Sequence, residues 1–108
     1  MKKLIMGALA LGVIATGSYA GCTAKKCVGK VDRLYMTANG TLYIGTDGDE
    51  SALNCTSPSN SYMSLAEGDV GKNAMYSLLL TAQTTGKPVS IRIQEGSPDC
   101  RVLYVTAN

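Results

Sequence analysis

The sequence predicts a mainly β domain with one helix (α+β): an OB-like small Greek-key barrel, with an open antiparallel sheet carrying one packed helix as the alternative. Three observations lead there. Short β-rich runs recur between turn-forming residues. One Asn-Gly pair joins two of them. A single stretch of helical periodicity separates the third strand from the fourth, giving the order β-β-β-α-β-β.

The first run, Lys30 to Thr37, alternates, with Asp32, Leu34 and Met36 on one face and Val31, Arg33, Tyr35 and Thr37 on the other. The second, Thr41 to Thr46, sets Leu42 and Ile44 against Tyr43. Between them Asn39-Gly40 predicts a type I′ hairpin turn, because both residues tolerate positive φ. Asp47-Gly48-Asp49-Glu50-Ser51 follows. An EF-hand loop needs a Glu twelfth, and position twelve from Asp47 is Pro58, so the segment reads as a solvated acidic turn. Ser61 to Ala66 is the third strand, with Tyr62, Ser64 and Ala66 opposite Met63 and Leu65.

Asp69 to Thr85 is the helix. Met75, Leu78, Leu79 and Ala82 fall at i, i+3, i+4 and i+7, one apolar stripe. Asp69 or Asn73 caps its start, Gly86 its end, and Pro88 prevents continuation. Tyr76 and Leu80 form a second face, which packs under a loop or meets another subunit. Val89 to Gln94 is a strand with Val89, Ile91 and Ile93 inward and Ser90, Arg92 and Gln94 outward. Arg101 to Thr106 is the last strand.

The chain opens with a secretory signal pattern. Lys2 and Lys3 precede the apolar run Leu4 to Ala15, and Ser18-Tyr19-Ala20 offers small residues before a cut. The run is too short for a bilayer core of ~30 Å, so no membrane span is expected. The expected organisation is a signal peptide over 1–20 and one disulfide-stapled domain over 21–108, exported to the periplasm or secreted. The alternative is a lipoprotein anchored through Cys22, since Ala20-Gly21-Cys22 resembles the end of a lipobox. Tyr19 stands where a lipobox has Leu, and lipidation would leave an odd number of thiols.

Cleavage leaves 88 of the 108 residues and removes Lys2 and Lys3, so 8 basic residues face 8 acidic ones. A net charge of zero with scattered cations gives no electrostatic case for nucleic acid. There is no His, Trp or Phe. The missing His removes the commonest general base and transition-metal ligand. The cysteines lack a C-x2-C pair, so zinc is not expected, nor is any cofactor. Four cysteines allow three pairings. The favoured one is Cys22–Cys27, closing a short N-terminal loop, with Cys55–Cys100, tying mid-domain to the entry of the last strand.

The segment Met75-Tyr76-Ser77-Leu78-Leu79-Leu80-Thr81-Ala82-Gln83, then Gly86-Lys87-Pro88-Val89-Ser90-Ile91-Arg92-Ile93, then Cys100, resembles an uncharacterised family of small secreted Gram-negative bacterial proteins. More distantly it is similar to B subunits of pertussis-like and subtilase-type AB toxins. The resemblance covers Tyr62 to Val105. It implies a pentamer binding host glycans, but no glycan-contact motif matches, so it carries over no binding residue.

These readings lead to a secreted non-catalytic binding module for carbohydrate, with a structural or assembly protein of the envelope without a small ligand as the alternative. The candidate contacts are Arg92, for a carboxylate or sugar hydroxyl, and Tyr35, Tyr43 and Tyr62, for stacking on a sugar ring. Catalysis is disfavoured: Ser77 and Lys72 share no helix face, and Asp47, Asp49 and Glu50 are expected on a flexible turn.

Overall fold

The computed structural model describes residues 20–107. The predicted signal peptide lies outside them apart from Ala20. The strands are β1 (Gly21–Cys22), β2 (Lys26–Met36), β3 (Leu42–Thr46), β4 (Met63–Leu65), β5 (Pro88–Ile93) and β6 (Val102–Ala107). The helix α1 (Lys72–Thr85) separates β4 from β5. Two single 3₁₀ turns, Glu50–Ala52 and Pro58–Asn60, lie between β3 and β4.

All the ladders are antiparallel, in the order β4-β3-β2-β5-β6, with β1 added to β2. The long β2 organises the sheet. Lys26–Lys30 pair with β5, whereas Val31–Met36 pair with β3. The ladder is open, as in the alternative architecture, yet curls until its edges touch. Ser64 and Arg101 form one parallel bridge, and the Ser64 N–H donates to the Cys100 carbonyl at 3.0 Å.

Leu42, Ile44, Met63, Leu65, Leu79, Ile91 and Ile93 are fully buried and form the core. From α1, Leu79 and Ala82 are buried, and Met75 and Tyr76 pack against them. Tyr76 thus belongs to the core side, while Leu80 is exposed. The Gly86 cap is as expected. Its φ is 72°, and the Lys87 N–H reaches back to the Ala82 carbonyl at 3.0 Å.

The helix start differs. The cap position is Gly71, at φ 86°, with no side-chain cap. Asp69 works elsewhere: its carboxylate accepts the Ala66 N–H at 2.7 Å and pairs with the Arg101 guanidinium. A bidentate partner takes both oxygens and draws Asp69 away from the helix.

The hairpin also differs from the type I′ expectation. The Gly40 N–H donates to the Thr37 carbonyl at 2.9 Å, and Gly40 has φ 89° whereas Asn39 is not in the positive-φ region. This is a three-residue loop, a turn followed by a left-handed glycine. The Asn39 side chain explains the preference: its oxygen accepts from the Thr37 hydroxyl and from the Thr41 N–H. Gly40 is needed twice, since a Cβ there would sit 2.9 Å from the Glu67 side chain.

The strict alternation expected along β2 breaks at a bulge. Val31 pairs with Thr46 and Arg33 with Gly45, so Asp32 is an extra residue. Val31 is buried and Leu34 also packs on the core, although alternation placed them on opposite faces. Asp32 and Arg33 both turn to solvent. Both favoured disulfides are present, with Cα atoms 4.0 Å apart in Cys22–Cys27 and 5.1 Å apart in Cys55–Cys100.

Candidate functional site

The bulge sets the outward residues of β2 and so creates the site. Past Asp32, Tyr35 faces outward and pairs across the ladder with Tyr43. Their rings stack at 4.9 Å with a 27° interplanar angle. Tyr62, just before β4, stands edge-on to Tyr35 at 5.3 Å and lies 6.1 Å from Tyr43. Ser57 holds Tyr62 in place: its hydroxyl donates to the Tyr62 carbonyl at 2.9 Å and accepts the Tyr62 N–H at 3.2 Å. Gly45 lets the Tyr62 ring lie against β3, because a Cβ there would be 3.3 Å from the ring. Tyr35 is 41% exposed, so the cluster has an open side.

A groove of about 360 Å³ runs beside this cluster, lined by Asp32 and Arg33 of the bulge, Gly45 and Thr46 of β3, and Gly48, Glu50, Ser61 and Tyr62. It is polar, with charged side chains next to an aromatic ring. Glu50 is 4% exposed, not on a flexible turn as expected. Its carboxylate accepts the Thr46 N–H at 2.6 Å and the Thr46 hydroxyl at 2.5 Å. The Thr46 hydroxyl in turn accepts the Gly48 N–H at 3.1 Å. A buried carboxylate needs such donors, and here they come from its own turn.

The neighbouring acids are also occupied with backbone. Asp47 accepts the Lys30 N–H at 2.9 Å. Asp49 accepts the Ser51 hydroxyl at 2.6 Å and the Ser51 N–H at 3.0 Å. The Ser51 hydroxyl, and then its N–H, hold the Asp49 carboxyl below its ordinary 3.8. Among the described residues, one group has metal-ligand proximity: Cys22, Cys27 and Glu50, with donor atoms within 4.8 Å of one another. Both sulfurs belong to the closed disulfide, and a disulfide sulfur offers no thiolate to a metal.

The structure therefore gathers three of the four expected contact residues and separates the fourth. Arg92 lies on β5 opposite Lys26, nine positions along β2 from Tyr35, a strand length of roughly 30 Å. The reading of the sequence missed Asp32, Arg33, Thr46 and Glu50. A signal for them exists in Gly45, a glycine inside a β run, which often marks close approach of another group.

Compared with known protein families, curated proteins and solved structures, the chain matches none.

Proposed function

We propose that this chain is an exported, non-catalytic binding module that takes a saccharide on its tyrosine face. The observation that carries the proposal is the gathering of Tyr35, Tyr43 and Tyr62 on one open surface. Aromatic rings offer apolar faces to the C–H side of a sugar, while the neighbouring Asp32 and Arg33 offer a hydrogen-bond acceptor and donors for its hydroxyls. Export is supported by the signal pattern and by the two disulfides, which persist in oxidising compartments. The Cys22 sulfur is bonded to Cys27, which favours cleavage after Ala20 over a thioether-linked lipid at Cys22. No helix among the described residues is long and apolar enough to cross a membrane.

A glycan array probed with the disulfide-bonded protein tests this. Binding to a defined glycan class that Tyr35→Ala abolishes is the expected result. A folded protein that binds no class of glycan refutes it.

A second reading, a structural or assembly protein of the envelope with no small ligand, is favoured by β6. It is an edge strand, and Val102–Ala107 contain no charge and no proline to discourage pairing. The glycan array separates the two, since this reading expects a folded protein without a glycan ligand. Light scattering after size exclusion adds the oligomeric state: a pentameric ring fits the toxin resemblance, and a monomer at high concentration counts against assembly.

A further inference from the structure

The other half of the sheet carries a like-charge pair on its outward face. Lys26 on β2 and Arg92 on β5 are direct cross-strand partners. The Ile93 N–H donates to the Lys25 carbonyl at 3.0 Å. The adjoining Lys26–Arg92 pair therefore holds a non-hydrogen-bonded position, where facing side chains come closest. Like charges directly opposite one another destabilise a ladder.

Among the described residues no ion pair offsets this charge. Lys30 stands further along the same face of β2, and β5 and β6 contain no acidic residue. Glu95, just past β5, accepts from the Asn54 side-chain amide at 3.3 Å. The ion pair found among the described residues, Asp69 with Arg101, involves neither Lys26 nor Arg92. The Arg92 Nε–H is buried and meets no protein acceptor. A buried donor of this strength without an acceptor is costly. On its other flank Arg92 pairs with Tyr104, which is half exposed, and Ser90 lies one position along the same face.

We infer that this face is an oxyanion site. The Arg92 guanidinium and the Lys26 ammonium together bind a sulfate or carboxylate group, and Tyr104 flanks the bound molecule. One oxyanion cancels the repulsion across the ladder, and a reorientation of the Arg92 side chain toward it brings the buried Nε–H to an acceptor. The site stands on different residues from the tyrosine face and does not depend on it.

The test is an NMR titration of the disulfide-bonded protein with sodium sulfate, a sulfated disaccharide and the same disaccharide unsulfated, at matched ionic strength. The two sulfated ligands are expected to give saturable shifts at the Arg92 Nε–H and at the amides of Lys26, Ser90 and Tyr104. The neutral sugar gives none there. Arg92→Gln and Lys26→Gln each weaken sulfate binding by about tenfold or more, whereas Tyr35→Ala leaves it unchanged. A sulfated disaccharide that binds more tightly than sulfate identifies an acidic saccharide as the source, and equal affinities identify the free anion. Saturable shifts absent from Arg92 overturn the inference. So does undiminished binding in Lys26→Gln, which alters an exposed side chain and is confirmed as folded by its amide spectrum.

Discussion

Removing the two disulfides one at a time separates loop closure from local packing. Cys55→Ala with Cys100→Ala opens a loop of 45 residues, and Cys22→Ala with Cys27→Ala opens one of 5. In the chain-entropy model these closures are worth about 4 and about 2 kcal/mol. Each disulfide has one fully buried cysteine, Cys27 or Cys100, and the longer loop has a seam to hold as well. Cys100 is fully buried at the seam where Ser64 bonds its carbonyl and that of Asp99. Asp99 and Cys100 both hold positive φ, 67° and 48°, a conformation that is strained in non-glycine residues and has to be held from outside. In a domain this small, 1 kcal/mol moves the melting temperature by about 4–8 °C. The long-loop variant should therefore melt about 8–16 °C below the short-loop variant. Thermal and urea unfolding without thiols measure this, with a steeper urea dependence in both variants as the unfolded chain expands. Equal losses, or a larger loss from Cys22 and Cys27, would refute the reasoning and place the stabilisation in the packing of buried Cys27.

Glu50→Ala leaves the Thr46 N–H and hydroxyl buried without their acceptor; a loss of about 2–4 kcal/mol is expected in urea unfolding. Gly48→Ala puts a Cβ 3.1 Å from the Gly21 backbone and 3.2 Å from the Cys22 sulfur, so overpacking should destabilise by about 1–3 kcal/mol in the same assay. Gly45→Ala pushes Tyr62 away from β3; near-ultraviolet circular dichroism of the tyrosines should change while the melting temperature moves little. Asp49 has a lowered folded pKa, so the stability it adds is present above its ordinary 3.8 and is lost as pH falls through the folded value. Urea midpoints of the native protein and Asp49→Ala should accordingly differ near neutral pH and converge in acid.

The elements that were legible in the sequence had clean periodicity. β5 reads directly from Val89, Ile91 and Ile93, and α1 from Leu79 and Ala82 with Gly86 at its end. The early start of β2 was not legible, because its inward positions there are Cys27 and Gly29 rather than branched apolar residues. The bulge was hidden for a different reason. An extra residue in a strand leaves no mark in composition, and both phases of the alternation from Val31 to Thr37 look acceptable alone. The three tyrosines could be suspected from residue type, but their meeting depends on that bulge and on Gly45. Glu50 was misread because an acid in a run of Asp and Gly is ordinarily solvated; composition does not show the local turn that sets Thr46, four residues back, against it.

The unequal spacing of the cysteines also bears on how the chain reaches its native connectivity. Closure of the Cys22–Cys27 loop is favoured over the Cys55–Cys100 loop by roughly 25-fold on chain statistics alone. Early oxidation of the near pair removes both alternative pairings at once and leaves Cys55 and Cys100 with only each other. The short hairpin is also a docking point in the native fold. Its tip carbonyls, Ala24 and Lys25, receive the N–H groups of Asn54 and Ile93, and Asn54 is the residue next to Cys55. In the folded chain those two bonds fasten the segment that carries Cys55, and the strand that leads to Cys100, to the same small loop that the first disulfide closes.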